Sequence, residues 1–349
     1  MKLSLRWYGP RDSVPLTFIR QIPGVKGVVA GLHDIAPGDV WPPERIRDLV
    51  DQIQRHSLKL TAIESLPVHE DIKIGGPDQD HYIDNYIISL KNLAAAGVTA
   101  ICYNFMPVFD WTRTDLAYKL ADGATCLRYN HADLARIDLT QGTRDLPGWG
   151  AAFNSCRLDE LRQAYAGVSE ERLWDNLAYF LKRVIPVAEG VGVRMGIHPD
   201  DPPWSIFGLP RIIVDGDALR RLVDIVDSPA NGLSLCTGSL APRPSNDLPA
   251  LVDEFAKQDR ITFMHVRNIH VDGEKSFHET AHPSACGDLD MLAIIKALYR
   301  SGFHGPLRPD HGRMIWKETG KPGYGLFDRA LGAAYINGMW EALSSTGIE

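Results

Sequence analysis

The run GVRMGIHPDD, residues 192–201, is a short apolar segment that ends in a histidine and two aspartates. Three later runs have the same form, with strand-like residues followed by polar ones: GLSLCTG at 232–238, ITFMHVRNI at 261–269 and PLRPDHG at 306–312. Four further β-rich runs lie in the first third of the chain, at 3–7, 27–32, 59–66 and 98–104. Runs of this kind that alternate with helices indicate the strands of one parallel sheet.

Amphipathic helices are predicted in the intervals between these runs. After the second run, Pro43 suits the first turn of a helix, and Ile46, Leu49 and Ile53 recur at helical spacing. Ser169 is a candidate N-cap for the helix that precedes residue 192, because two glutamates follow it directly. Eight strand–helix repeats predict an α/β protein with a (β/α)₈ barrel of the TIM type.

The length of the chain exceeds what one barrel needs. Such a barrel typically occupies about 250 residues, and the chain has 349. Residues 105–165 show little clean periodicity and are too many for a structureless loop. We therefore expect an insertion with short helices of its own after strand four, within a single domain spanning 1–349. The alternative is a doubly wound sheet, which requires a Gly-rich turn after the first strand, where the sequence is WYGPRDS.

The composition excludes several classes of function. Lys and Arg total 37 and Asp and Glu total 44, so the net charge is −7 and nucleic acid is not an expected partner. No apolar run approaches about 20 residues and no signal-peptide core is visible, which predicts a cytoplasmic protein without membrane contact. The five cysteines form no CxxC pair, so a disulfide framework is not expected. Symmetric dimers are the commonest assembly, so we expect a homodimer or higher homo-oligomer.

Four of the late strands each end in a residue able to bind a metal: His198, Cys236, His265 and Asp310. They are separated by 38, 29 and 45 residues, about one strand–helix unit each, which matches no local metal motif. In a barrel, however, the carboxyl ends of neighbouring strands meet at one mouth. Two imidazoles, a thiolate and a carboxylate then form a plausible set of metal ligands. Taken singly, each residue is more readily explained as structural.

A second group of polar residues surrounds the same mouth. His311 follows Asp310 directly, and Tyr324 stands between two glycines that allow a sharp turn. Other residues close to strand ends could bind a carboxylate or hydroxyls of a substrate: Arg6, Trp7, Asn104, Arg267, His278 and Arg308.

Seven segments together resemble one known family, mannonate dehydratase of the hexuronate pathway: LRWYGP, GIHPDDPP, LSLCTGSL, FMHVRNI, FHETAH, RPDHGR and PGYGLFDRALG. The resemblance covers essentially the whole chain. It implies a barrel like that of the sugar isomerases, and loss of water from D-mannonate to give 2-dehydro-3-deoxy-D-gluconate. It implies that His198, Cys236, His265 and Asp310 bind a divalent metal, usually Mn²⁺ or Fe²⁺. Since a thiolate is a soft ligand, Co²⁺ or Zn²⁺ could also occupy the site.

The resemblance also implies catalytic roles for His311 and Tyr324. Dehydration must remove the C2 proton next to a carboxylate and expel the C3 hydroxyl. Imidazole is the usual base near neutral pH, so we favour His311 as base and Tyr324 as acid, and the reverse assignment stays open. Arginines at positions 6, 267 and 308 could fix the substrate carboxylate by two-pronged contacts.

Other functions compete with this interpretation. A metal-dependent sugar isomerase or epimerase could use the same barrel, although Glu64 is the only early-strand acid available to it and a thiolate is atypical. A non-catalytic sugar-acid binding protein would keep the barrel without turnover, which the presence of His311 and Tyr324 disfavours. The net negative charge of the chain disfavours a barrel that acts as a nuclease.

Overall fold

The computed structural model describes residues 1–137 and 155–346. Its strands are β1 (Lys2–Arg6), β2 (Gly27–Ala30), β3 (Lys59–Glu64), β4 (Ala100–Tyr103), β5 (Asp115–Lys119), β6 (Thr125–Asn130), β7 (Arg194–Ile197), β8 (Asn231–Cys236), β9 (Ile261–Val266), β10 (Ile269–Gly273), β11 (Ser276–Glu279) and β12 (Pro306–Pro309). Eight of these strands pair in parallel and close into a barrel, in the order β1-β12-β9-β8-β7-β4-β3-β2. The predicted (β/α)₈ barrel is thereby confirmed. The doubly wound alternative is excluded, because β1 pairs with both β12 and β2.

Helices cover the outside of the barrel. They are α1 (Leu16–Ile19), α2 (Pro43–Gln54), α3 (Glu70–Ile74), α4 (Gln79–Ala95), α5 (Ser155–Tyr165), α6 (Glu170–Gly190), α7 (Gly216–Ile225), α8 (Thr237–Leu240), α9 (Leu248–Lys257), α10 (Met291–Arg300) and α11 (Phe327–Thr346). Within the described ranges, none of these helices is long and apolar enough to cross a membrane.

Two helices start at the residues that the sequence predicted. Pro43 is the first residue of α2, where its missing N–H costs no hydrogen bond. The Ser169 side chain accepts a hydrogen bond from the Arg172 backbone N–H at 3.1 Å and so caps α6. The proline at the first position of α2 and the serine cap of α6 thus mark where these two helices start.

The barrel strands are buried on both faces, as parallel strands usually are. Val28 packs in the large apolar cluster between the strands and the helices, while its neighbour Val29 joins a second cluster with Ala62, Ala100 and Phe263. Successive strand residues point to opposite faces, so the second cluster lies inside the barrel. Apolar packing therefore fills part of the interior and leaves the polar strand ends to form the mouth.

A second, antiparallel sheet has the strand order β10-β11-β6-β5. It joins two hairpins, and each contains an Asp-Gly pair: Asp122-Gly123 between β5 and β6, and Asp272-Gly273 at the end of β10. Asp-Gly is a strong hairpin signal because its glycine readily adopts positive φ, and Gly123 has a φ of 87°. Trp111 and Leu127 from this region pack on Tyr324. The small sheet thus lies close to the residues predicted to be catalytic.

The segment 105–165 contains strands that the sequence did not predict. We expected short helices there, and the described part contains strands β5 and β6, a 3₁₀ turn at His131–Arg136 and helix α5. Residues 138–154 lie outside the described part. Strand β5 is short, and its half-buried face consists of only two apolar residues, Leu116 and Tyr118, so its period-two signal is weak.

The cap of α9 gives a direct test of these local assignments. The Asp247 carboxylate accepts the Ala250 backbone N–H at 3.1 Å. The Asp247→Ala variant should lose about 1 kcal/mol of unfolding free energy, because a helix N–H is left without its partner. Urea or thermal unfolding measures this loss.

Asp253 on the same helix is the matched control. Its exposed ion pair with Lys257 has a length of 2.6 Å, and exposed pairs contribute at most about 1 kcal/mol, often much less. The Asp253→Ala variant should therefore unfold almost like the unaltered protein. Equal losses from the two variants would contradict the assigned cap.

Candidate metal centre and catalytic cavity

The barrel brings the four predicted metal ligands to one point. Cys236 is the last residue of β8 and lies opposite His265 in the β8–β9 register. His198 follows the end of β7, and Asp310 follows the end of β12. Because β7, β8, β9 and β12 are consecutive around the barrel, their ends converge although the residues are far apart in sequence.

The distances within this group suit a single ion. One ligand atom from each of His198, Cys236 and His265 lies within 4.8 Å of the others. Asp310 completes the group, with Oδ2 at 3.4 Å from the Cys236 sulfur and Oδ1 at 3.9 Å from the His265 Nδ1. The four side chains therefore surround one small volume.

The two histidines present lone pairs to that volume. His265 is fully buried, yet neither of its ring nitrogens has a hydrogen-bond partner among the described residues. Burial also lowers its pKa well below the usual value, so the ring is neutral. The His198 Nδ1 lies 2.7 Å from the Pro199 carbonyl oxygen, to which it donates, and this leaves Nε2 as an acceptor. Buried and unpartnered imidazole nitrogens are costly unless a cation uses them, so the residues fit a bound metal.

The other two ligands differ in protonation. Burial and the nearby Asp310 charge raise the pKa of Cys236 to about 12, so the thiol keeps its proton and donates it to Asp310. For Asp310, burial alone would raise the pKa, but the charges of Arg308 and Arg267 beside it hold it well below its usual range. Arg308 and Arg267 approach its two oxygens at 2.7 and 3.1 Å. A bound divalent cation favours the thiolate form of the cysteine, so metal binding and loss of its proton are coupled.

His311 and Tyr324 form a hydrogen-bonded pair beside this group. The His311 Nε2 lies 2.9 Å from the Tyr324 hydroxyl, and burial raises the pKa of the tyrosine to about 12. The tyrosine is thus a neutral phenol in hydrogen-bond contact with the imidazole. Gly323, next to it, has a φ of 81°, and a Cβ there would approach the Leu127 side chain to 2.6 Å. A glycine is therefore required to present the tyrosine, as the sequence indicated.

A buried ion network behind His311 was not predicted. Arg113 contacts Asp201 and Glu279 at 2.8 Å each, and Arg267 contacts Asp201 at 2.7 Å. Glu279 in turn lies 2.8 Å from the His311 Nδ1. Asp201 lies in the segment GIHPDDPP, three residues after His198, and Glu279 lies in FHETAH, directly after His278. Their roles depend on contacts between distant segments, which sequence spacing does not reveal.

These groups surround one cavity of about 530 Å³. Eight of the predicted site residues line it: Arg6, Asn104, His198, Arg267, Arg308, Asp310, His311 and Tyr324. Cys236 and His265 lie fully buried beneath its floor. The volume is in the usual range for a small-molecule site.

Trp7 and His278 are not brought to the cavity. Trp7 packs in the large apolar cluster, because successive residues on a strand point to opposite sides and Arg6 already faces the mouth. For the same reason, Glu279 faces His311, while its neighbour His278 pairs with Asp272 at 2.8 Å on the other face. The expected substrate contacts of these two residues are not supported by their positions.

Two of the predicted arginines are engaged by protein carboxylates. Arg308 donates to both oxygens of Glu64, at 3.0 and 2.8 Å, and Arg267 is shared among Asp201, Asp310 and Glu279. In the structure they position acids at the cavity wall, a function that the sequence did not indicate.

The whole chain is similar to proteins of one family. Residues 1–348 match the family described as D-mannonate dehydratase (UxuA). Mannonate dehydratase 2 from Halalkalibacterium halodurans is 53% identical over 345 residues, which cover 99% of this chain and 100% of that protein. The crystal structure of mannonate dehydratase from Streptococcus suis serotype 2 is 47% identical and superposes with a TM-score of 0.92, covering 99% and 96% of the two chains.

More distant structures share the fold alone. A xylose isomerase domain protein from Planctomyces limnophilus superposes with a TM-score of 0.58 at 11% identity, covering 99% of each chain. The expected likeness of the barrel to xylose isomerase is thereby confirmed.

The cysteine ligand can be tested by a single-atom change. Cys236→Ser replaces the soft sulfur by a hydroxyl that ionises far less readily, so it should weaken metal binding at least about 10- to 100-fold, the usual cost of losing an outer partner. Titration of the metal-free protein with Mn²⁺ or Zn²⁺ measures the change. Cys126→Ser, at another buried thiol, is the control and should bind metal normally. Equal affinity in the two variants would exclude Cys236 as a ligand.

Proposed function

Because the chain belongs to the D-mannonate dehydratase family and is a hydro-lyase, we propose that it converts D-mannonate to 2-dehydro-3-deoxy-D-gluconate and water. The observation that carries the proposal is the position of the His311–Tyr324 pair beside His198, Cys236 and Asp310 at one barrel mouth. A hydrogen-bonded acid–base pair next to a set of metal ligands is what dehydration next to a carboxylate requires.

A divalent metal, Mn²⁺ or Fe²⁺, completes this site in our proposal. Its ligands are His198, Cys236, His265 and Asp310. When bound, it supplies Lewis-acid stabilisation of the negative charge that develops next to the substrate carboxylate, an effect of several kcal/mol. A thiolate suits Fe²⁺, Co²⁺ or Zn²⁺ better than Mn²⁺, so the metal in the cell depends also on availability.

His311 and Tyr324 carry the two proton transfers. We assign the C2 proton to His311, whose Nε2 is the basic atom that faces Tyr324. Tyr324, a neutral phenol, then gives its proton to the departing C3 hydroxyl. The enol that remains between C2 and C3 rearranges to the 2-keto acid. Each such transfer by a placed side chain typically accelerates a reaction about 10²–10⁴-fold.

The charge of the cavity suits an anionic substrate better once a cation is bound. Among the described lining residues, five are acids and four are bases: Glu64, Glu70, Asp110, Asp201 and Asp310 against Arg6, Lys73, Arg267 and Arg308. With every acid ionised, this lining carries a charge of −1, and a divalent cation bound through the Cys236 thiolate adds +1. The loaded site is therefore neutral, and it repels a sugar-acid carboxylate less than the empty site does.

We further propose that the reaction belongs to hexuronate catabolism, as the resemblance implies, and that the enzyme acts in the cytoplasm. The free thiols of Cys102, Cys126, Cys236 and Cys286 fit a reducing compartment. A homo-oligomer remains a prediction.

Turnover with and without metal tests the proposed function. Protein treated with a chelator should lose its activity on D-mannonate, and Mn²⁺ or Fe²⁺ should restore it. The readout is the 2-keto-3-deoxy acid, which an isomerase or epimerase does not form. Full activity in a preparation shown to be metal-free removes the metal from the mechanism. Binding of the sugar acid without product identifies a binding protein instead.

Variants of the proton-transfer pair test the assigned chemistry. Tyr324→Phe and His311→Asn should each lower kcat about 10²–10⁴-fold, because one proton transfer loses its side chain. Metal content should be unchanged. His278→Asn is the control, since that histidine lies away from the cavity, and it should retain full activity. Wild-type kcat in either of the first two variants contradicts the assignment.

A further inference from the structure

We propose that Glu279 is a positioning residue that fixes the tautomer of His311, placing the proton on Nδ1 so that Nε2 is the basic atom facing Tyr324. The inference rests on the proposed function, because it explains how the acid–base pair of that reaction is prepared. It adds a residue from outside the barrel strands to the machinery.

The contacts of His311 form a directed chain. Glu279 is the last residue of β11, in the small sheet, and its Oε1 and Oε2 lie 2.8 and 3.0 Å from the His311 Nδ1. On the other side of the ring, Nε2 lies 2.9 Å from the Tyr324 hydroxyl. An ionised carboxylate only accepts hydrogen bonds, so it requires an N–H at Nδ1. The second nitrogen then carries the lone pair.

Arg113 keeps Glu279 ionised and in place. Its Nε and Nη2 donate to Oε1 of Glu279 at 3.1 and 2.8 Å, and its two terminal nitrogens hold both oxygens of Asp201. All three side chains are buried. Burial by itself raises the pKa of Glu279, but the charges of Arg267 and Arg113, together with the hydrogen bond from His311, hold it below its usual range. The carboxylate is therefore charged at neutral pH.

One contact opposes this tautomer. The Arg267 Nη1 also lies 2.8 Å from the His311 Nδ1, and arginine can only donate, so it favours a lone pair at that nitrogen. However, Arg267 has carboxylate acceptors in Asp201 at 2.7 Å and Asp310 at 3.1 Å. The Nδ1–H has Glu279 as its acceptor, and charge-assisted bonds of this kind are about twice as strong as neutral ones. A charged Glu279 therefore keeps the proton of His311 on Nδ1.

The Glu279→Gln variant should shift the proton of the His311 ring from Nδ1 to Nε2. Arg113 donates to Oε1 and therefore requires the amide oxygen at that position, so the NH₂ group replaces Oε2, 3.0 Å from Nδ1. The oxygen that remains near Nδ1 is neutral and shared with Arg113, whereas the NH₂ group and Arg267 both favour a lone pair at Nδ1. The proton then moves to Nε2, and the ring no longer offers a basic atom to the reaction. We expect kcat on D-mannonate to fall about 10²–10⁴-fold, with little change in KM and in metal content.

The conservative variants separate charge from shape. Glu279→Asp keeps the carboxylate on a shorter side chain and should retain more activity than the isosteric Glu279→Gln. A role in packing alone predicts the opposite order, and that order would overturn the proposal. Asp328→Asn is the matched control, because it removes another buried carboxylate, 2.9 Å from Arg313, that does not touch His311. It should lose stability and keep its kcat.

A spectroscopic measurement keeps the proposal falsifiable if the Gln variant does not fold. Long-range ¹H–¹⁵N spectra of the zinc-loaded, histidine-labelled enzyme report the tautomer of each ring, and His311→Asn assigns the signal. We expect the wild-type ring to carry its proton on Nδ1, whereas a proton on Nε2 contradicts the proposal. If the wild-type enzyme does not dehydrate D-mannonate, the proposed function fails, and the tautomer result remains interpretable by itself.

Discussion

The closure of eight parallel strands is the constraint on which the rest of the structure depends. Closure puts the carboxyl ends of β7, β8, β9 and β12 side by side. It thereby gathers four residues that lie up to 112 positions apart in the sequence: His198, Cys236, His265 and Asp310. No local loop builds this centre. A shift of register in one strand would turn its ligand to the opposite face, because side chains alternate along a strand. The exact pairing of the strands is therefore also a condition for the proposed metal site.

The second requirement of the site is that its buried carboxylates are paired with arginines. Arg308 and Arg267 hold Asp310, Arg308 also holds Glu64, and Arg113 links Asp201 to Glu279, all in buried surroundings. Buried ion pairs add little net stability, since desolvation offsets the attraction, but loss of one partner is costly. Their effect here is to hold each carboxylate in one orientation. Preorganised charges of this kind do not have to rearrange when the reaction occurs.

The sequence predicted those parts of the molecule that depend on local pattern. The barrel and the convergence of the four ligands follow from periodicity and strand ends, and the starts of α2 and α6 follow from Pro43 and the Ser169 cap. The small sheet could have been predicted from its two Asp-Gly hairpin signals, at 122–123 and 272–273. The predictions at Trp7 and His278 are wrong by one residue, because neighbouring side chains on a strand point to opposite faces and it is Arg6 and Glu279 that face the site. The Arg113–Asp201–Glu279 network could not be predicted, since only the folded chain brings its three segments together.

The central claim is that these strand ends hold one metal next to the His311–Tyr324 pair. Anomalous diffraction at the manganese edge, from crystals of the Mn²⁺-loaded enzyme, tests it most directly. We predict one strong peak within bonding distance of His198, Cys236, His265 and Asp310. A peak elsewhere, or no peak in crystals of protein that converts D-mannonate, would contradict the account.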